Sequence, residues 1–422
     1  MEISRTQHLV LLVGSNPLPD AVAGKLLVEP GGTITLVHSR DSFAIAERLK
    51  AWLEKEHEKK VMVEVKEVSE SEASSIYFGI RKRLKEIQAP SVGLNYTGGT
   101  KMMSVHAYRA VEQWAKDKGI TPVFSYLDAR TLRMVFDPPD GYSTEQRVYV
   151  GREVMLRLED FLALHGRELD KNRTPNCESV LPKTARALSK FCWEVDGFCK
   201  KWNSWVSSEI RKEAACLSVP EDENLKEVLE DVKDEARKEA FKTAIKKVYR
   251  TLCAELGQPE GDITLKQPTF QNTHQDFSKW LTGTWLEHYV LDVLNGLSKD
   301  LQLHERIQSI QTCGVQFEVD VVAVRGYQLF AFSCKAKSEE SKGGKGELKL
   351  ALFEAYVRAQ QLGGDEARVA LVCCAEDPAG LQQEIRRDFD REGRIRVFGR
   401  KHLADLAAHL EGWIREQSGG EG

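Results

Sequence analysis

Across its first 150 residues the chain alternates short apolar runs with amphipathic stretches, and this alternation restricts the fold more than any other feature. His8 to Gly14, Thr33 to His38, Val61 to Val68 and Ser91 to Tyr96 read as strands. Between them, Pro19 to Leu27, Ser42 to Lys59, Ser71 to Gln88 and Lys101 to Lys118 read as helices, and strands from Pro122 to Val150 close the region. Strands joined through helices pair in parallel, so an α/β unit with helices on both faces of a parallel sheet is predicted. A ligand of such a sheet sits beyond the carboxyl ends of its strands.

One of those ends carries Asn95-Tyr96-Thr97-Gly98-Gly99-Thr100-Lys101-Met102-Met103. The string follows a strand and opens a helix. Its two glycines permit close backbone approach, and the amides of a helix N-terminus favour anions. The threonine hydroxyls and Lys101 add donors. It is not a P-loop, because the G-x-x-x-x-G-K-[ST] spacing is absent. A plain tight turn is the alternative.

A second motif lies near Phe317-Glu318-Val319-Asp320 and Ser333-Cys334-Lys335. Val315 to Val324 and Gln328 to Ala336 read as a β-hairpin turning at Arg325-Gly326-Tyr327. Alternation puts Glu318 and Asp320 on one face. Ser333, Lys335 and Lys337 share a face of the return strand, and Phe330, Phe332 and Cys334 take the other. A two-residue turn leaves Asp320 and Lys335 on the same side. Two carboxylates and a lysine there suit metal-assisted phosphodiester hydrolysis, with oxygen ligands for a hard cation and an amine to orient or deprotonate water. A solvated salt-bridge ladder is the competing explanation. Upstream, Glu287 lies in a stretch whose Trp285, Leu286, Tyr289, Val290 and Val293 have helical spacing.

At 422 residues the chain has room for about two or three domains. Residues 151–265 change character, and Glu209 to Leu256 is dense in Lys, Glu and Ala, which reads as long solvated helices broken near Pro220 to Asn224. This middle segment is either a small helical domain or a spacer. No apolar run approaches the roughly 18 residues of a membrane span, and no signal peptide is recognisable. Nine cysteines without a C-x-x-C pair point to thiols in a reducing cytoplasm rather than to disulfides or zinc. The net charge of −4 decides nothing about nucleic acid, which needs only a local basic surface.

A glutamate-bearing helix, an Asp-bearing strand and a strand ending in x-x-Lys resemble, in that order, the PD-(D/E)xK nuclease core. One departure is Ser333, where that family has Asp or Glu two residues before the lysine. The glycine string resembles the signature of CARF domains, sensors of cyclic oligoadenylates. That family also places a ligand loop after the first strand, here Val13-Gly14-Ser15-Asn16-Pro17, and His38-Ser39 lies at the same sheet edge. Together the motifs resemble the CARF nucleases of type III CRISPR defence, the Can/Card group. The resemblance implies a CARF sensor over 1–150, a helical region over 151–265 and a restriction-endonuclease-like α/β nuclease over 266–422.

It further implies a cytoplasmic homodimer that binds cyclic tetra-adenylate through Gly14, Ser15, Asn16, Pro17, His38, Ser39, Thr97, Gly98, Gly99, Thr100 and Lys101. DNA would be cut, and RNA as in some members, with no membrane partner. Asp320 and Glu318 would hold Mn²⁺ or Mg²⁺, with the Cys334 carbonyl as a further ligand. Lys335 would orient or activate water, and Glu287 would be a carboxylate linked to the metal. Lys337 would contact a phosphate, a solvated lysine being the alternative, and Glu354 is a weaker candidate that reads first as helix surface. The alternative is a cyclic-oligoadenylate-binding regulator whose nuclease fold is degenerate and non-catalytic. The HEPN-type match from Arg396 to His402 spans a strand-like Ile395 to Phe398 and is set aside as chance.

Overall fold

The computed structural model describes residues 3–87, 89–141, 143–170, 176–211, 216–270, 274–311, 318–338, 344–388, 390 and 393–419. Gln88 of the third predicted helix and Val315 to Phe317 of the hairpin's first strand lie outside these described residues.

The predicted alternation is realised in β1 (Thr6–Leu12), α1 (Leu18–Leu27), β2 (Val28–His38), α2 (Phe43–Glu56), β3 (Met62–Glu67), α3 (Ala73–Ile87), β4 (Val92–Asn95), α4 (Lys101–Lys118) and β5 (Val123–Asp128). Two further strands, β6 (Arg133–Phe136) and β7 (Gln146–Tyr149), complete a sheet of order β3-β2-β1-β4-β5-β6-β7. Pairing is parallel from β3 to β5 and antiparallel beyond. Strand order reverses between β1 and β4, so the loops after β1, β2 and β4 meet at one edge. The start of α4 is fixed locally: the Thr100 side chain accepts from the Met103 N–H, and Gly119 at φ 69° ends the helix.

The middle of the chain holds α5 (Leu158–Leu164), α6 (Pro182–Glu194), α7 (Phe198–Arg211), a two-residue β8 (Cys216–Leu217), α8 (Asp222–Lys226), α9 (Glu235–Glu255) and β9 (Ile263–Thr264). There follow α10 (His274–Lys279), a π-helical turn over Trp280–Thr284, and α11 (Trp285–Leu301). The C-terminal part is β10 (Glu305–Gln311), β11 (Glu318–Arg325), β12 (Gln328–Lys335), α12 (Gly344–Gly363), β13 (Arg368–Cys373), α13 (Pro378–Asp388), β14 (Ile395–Phe398) and α14 (Leu406–Gln417). Its sheet has the order β10-β11-β12-β13-β14, antiparallel up to β12 and parallel after it.

Apolar packing ties these parts together. Val10, Leu12 and Leu94 pack with α3 and α4 on one face of the first sheet. On its other face, Leu9, Leu11 and Leu36 belong to the same continuous core as Val322, Val324, Leu329 and the inner residues of α12. The opposite face of the second sheet, with Val321, Phe330 and Phe332, packs on α11 and α14 and shares its core with helices of the middle segment. No helix among the described residues is long and apolar enough to cross a membrane.

The cysteines correct one expectation. Cys192 and Cys199 form a disulfide with Cα atoms 5.4 Å apart, and the Cys374 Sγ lies 3.1 Å from that of Cys199. The turn between α6 and α7 sets that proximity, and a seven-residue separation carries no motif that would announce it. The other described cysteines form no disulfide.

Candidate functional site

The hairpin turns through Gly326-Tyr327, with Arg325 paired to Gln328. The same register pairs Val321 with Phe332, which sets Asp320 opposite Ser333 and Glu318 opposite Lys335. Asp320 is the hub. Its Oδ2 accepts from the Cys334 amide at 2.7 Å, from Lys335 Nζ at 3.2 Å and from Ser333 Oγ at 3.4 Å. Burial works against charge on Lys335, but the charge of Asp320 and its hydrogen bond outweigh burial, so the ammonium is held above the ordinary lysine range. An amine so held donates and orients.

Glu287 projects from the first turn of α11, where its Oε2 accepts from Gln308 Nε2 at 2.9 Å. Burial, and next the charge of Asp320, push its carboxyl up to about 8. Glu318 is exposed, and its Oε1 accepts from Ser309 Oγ at 3.4 Å. Facing the hairpin, α12 contributes Ala351, Glu354, Ala355 and Arg358 to the wall of a cleft shared with Glu318, Asp320, Ser333 and Lys335. The two alanines leave space beside the charged groups. Glu354, exposed on the surface of α12, also lines this cleft. Arg358 has no counterpart in the sequence reading. It donates to the Glu318 carbonyl at 2.6 Å and sits 3.7 Å from Glu354. Lys337 is paired with Glu347 at 2.7 Å.

These donors fit a hard divalent cation. Glu318, Asp320 and Glu354 line the cleft, and Glu287 lies near enough that, after burial, the charge of Asp320 raises its pKa, a repulsion that a cation would relieve. Cys334 enters through its backbone. Its thiol is buried in the opposite core, where burial drives its pKa well up, so sulfur takes no part.

At the other sheet the predicted ligand residues gather at the edge where β2, β1 and β4 end. The loops touch: a Cβ added to Gly14 would lie 2.9 Å from the Gly99 nitrogen, and one on Gly98 would lie 2.1 Å from the Leu12 carbonyl oxygen. Gly99 has φ 73°. Several side chains there already have structural work. Thr97 Oγ1 accepts from the Leu127 N–H at 2.7 Å, Thr100 caps α4, and the buried His38 has Nδ1 2.9 Å from the Ser39 carbonyl. Ser15, Asn16, Thr100 and Lys101 remain at least partly exposed, while Pro17 and Ser39 are buried. Sequence reading missed Asp20, a fully buried carboxyl beneath Gly98, which burial raises well above the ordinary range.

Residues 274–417 match the family model described as the Card1-like endonuclease domain. The matched segment contains Glu287, Glu318, Asp320 and Lys335. In fold, the chain is similar to protein VC1899 from Vibrio cholerae, at 16% identity and TM-score 0.70, covering 98% of this chain and 99% of that one. It is also similar to Can2 from Sulfobacillus thermosulfidooxidans, solved in complex with cyclic tetra-adenylate, at 15% identity and TM-score 0.63 over 97% of each chain. At these identities the likeness is one of fold, that of two α/β sheets joined through a helical middle segment. No curated protein matches the chain in sequence.

Proposed function

We propose that the chain, whose residues 274–417 match the Card1-like endonuclease model, is a divalent-metal-dependent nuclease of type III CRISPR defence, switched on by cyclic tetra-adenylate. Its substrate is DNA, single-stranded or nicked supercoiled, with RNA the second candidate. On this reading residues 1–150 are the sensor, 266–422 carry the PD-(D/E)xK site, and 151–265 bear on the nuclease sheet. A two-fold ligand ring suits an isologous homodimer in which each subunit gives the same loops.

The observation that carries the reading is Asp320, held by three donors, Lys335 among them, with the carboxylates of Glu287 and Glu318 nearby. Glu318 and Asp320 would hold Mn²⁺ or Mg²⁺, and the Cys334 carbonyl would be a further ligand. Bound there, the cation would polarise a phosphoryl oxygen and lower the pKa of its water. Lys335 orients the nucleophile and balances charge on the phosphate. Glu287, held by Gln308, keeps beside them a carboxyl whose pKa burial and the charge of Asp320 raise. The likeness to a Can2 fold solved with cyclic tetra-adenylate supports the sensor assignment.

Ser333 supports a second reading, because a hydroxyl stands where the nuclease motif has a carboxylate. In that reading the fold binds without cutting. The deciding experiment is cleavage of supercoiled plasmid, single-stranded DNA and RNA with Mn²⁺ or with chelator, each with and without cyclic tetra-adenylate. Cutting that needs both metal and activator and vanishes in Asp320→Ala is expected. Tight activator binding with no cutting of any substrate would establish the binding-only reading.

A further inference from the structure

Asn16 lies in the loop after β1, at the sheet edge where the sensor reading seats the cyclic nucleotide, and the role proposed for this residue rests on that reading. Its side chain is engaged twice. Oδ1 accepts from the Leu18 N–H at 3.1 Å, at the start of α1. Nδ2 donates to Glu366 Oε2 at 3.1 Å, across 350 positions of sequence. Glu366 belongs to the short 3-10 turn Gly364–Glu366 that directly follows α12, and its side chain is fully buried. Its second oxygen, Oε1, has no hydrogen-bond partner among the described residues. Gly364 makes room for the contact: it has φ 54°, and a Cβ there would lie 2.1 Å from Asn16 Nδ2.

The helix that ends at this contact is the one that walls the nuclease cleft. Arg358, on α12, donates to the carbonyl of Glu318, and Glu354 stands beside it. At its C-terminal end α12 is seated on β12: a Cβ on Gly363 would lie 3.0 Å from the Leu329 Cβ. One side chain and one helix therefore join the loop that would meet the ligand to the strand that carries Asp320.

We propose that the Asn16–Glu366 hydrogen bond is a latch that favours the less active arrangement of α12, and that a cyclic nucleotide on the Gly14–Pro17 loop releases it. Phosphate oxygens are strong acceptors and compete for the Asn16 amide. Once that amide turns to the ligand, a buried carboxyl loses its cross-sheet donor. Leaving such a group unpaired is costly, so the turn at Gly364–Glu366 moves and α12 moves with it. A ligand shifts such an equilibrium only by its differential affinity for the two states, and here the difference is the broken bond.

The test uses the full-length protein as wild type, Glu366→Ala, Gly364→Ala and Glu366→Gln, with Asp320→Ala as the blank for contaminating nuclease. Activator-free plasmid cleavage with Mn²⁺ and the affinity for cyclic tetra-adenylate by calorimetry are both read. Glu366→Ala removes the acceptor, and Gly364→Ala drives a methyl group into the space of Asn16. Both should raise activator-free cleavage about three- to tenfold and tighten activator binding several-fold, since the ligand no longer has to break the bond. Glu366→Gln keeps an acceptor of the same shape and should behave as wild type. A wild type that binds and responds to activator while both breaking variants match it in cleavage and affinity overturns the latch alone. Loss of activity in Glu366→Gln as well as in Glu366→Ala, with no rise in activator-free cleavage, does the same. A wild type that does not bind cyclic tetra-adenylate overturns the sensor reading, and the latch with it.

Discussion

The two sites in this chain are made of opposite materials. At the edge of the first sheet the structure depends on atoms that are missing: Gly14, Gly98 and Gly99 let one loop lie against another at distances a side chain would forbid. The polar groups around them, Thr97 and Thr100, serve β5 and α4. At the second sheet the backbone is an ordinary β-ladder, and the site is what projects from it: Asp320, Glu318, Lys335 and, from α11, Glu287. The first site should therefore fail when an atom is added, and the second when a charge is removed.

The charge side of that contrast gives the largest effect. Asp320→Ala deletes the acceptor of three hydrogen bonds and should lower cleavage by roughly a thousandfold or more. Lys335→Ala should come close to it. Neither should weaken cyclic tetra-adenylate binding by more than about twofold, because neither touches the first sheet's loops. Retained cleavage in both variants would remove the site from the hairpin. The added-atom side is Gly98→Ala. Its methyl would stand 2.1 Å from a backbone carbonyl oxygen, which cannot swing aside as a side chain can. Overpacking of this kind costs about 1–3 kcal/mol, so activator binding should weaken roughly ten- to a hundredfold. Binding at the wild-type level in calorimetry would mean that the ligand does not sit on this loop.

The same contrast explains what the sequence reveals. Charges on an apolar hairpin stand out because period-two alternation fixes their face, and Asp320 and Lys335 meet as that alternation requires. The glycine string also stands out, and α4 begins and ends as its sequence suggests. Arg358, Gln308 and Glu366 were not legible. Each matters through a partner far away in sequence, 40 residues for Arg358 and 350 for Glu366, and nothing local distinguishes Arg358 from any other helix arginine. The disulfide was hidden for the same reason. The charged middle segment reads as solvated helices because its charge density is local. That Trp202, Trp205, Phe241 and Tyr249 would join the core beneath the second sheet is a matter of packing.

A proton can be the added atom too. His8 lies in β1 with its Nε2 2.9 Å from Thr35 Oγ1, and burial, helped by the charge of Arg83, lowers its pKa to about 4. The folded state thus binds the His8 proton less readily than the unfolded chain, whose histidine titrates near 6.5. Its neutral form costs nothing above about pH 6.5, and stability is lost as pH falls from there toward 4. Between pH 7 and pH 5 the loss should be about 2 kcal/mol. Denaturant unfolding across that range checks it. His8→Gln, which keeps a partner for Thr35, should flatten the profile by that amount, and an unchanged slope would exclude His8 as its source.

Arg358 gives the smallest effect and the most exacting one, because it acts where the two kinds of construction overlap. Its guanidinium donates to the backbone carbonyl of Glu318, so a charged side chain here secures the position of main chain. Arg358→Ala leaves the three hydrogen bonds to Asp320 in place and removes the support of the strand's first residue. Cleavage should fall about tenfold, with most of the loss in kcat, since a misplaced ligand carboxylate harms the transition state more than substrate binding. Arg358→Lys keeps the charge but not the planar fork, and should recover little. If lysine restores full activity, Arg358 acts through charge in the cleft and not by holding the strand. The second site would then be made of side-chain charge throughout, and the contrast between the two sheets would be complete.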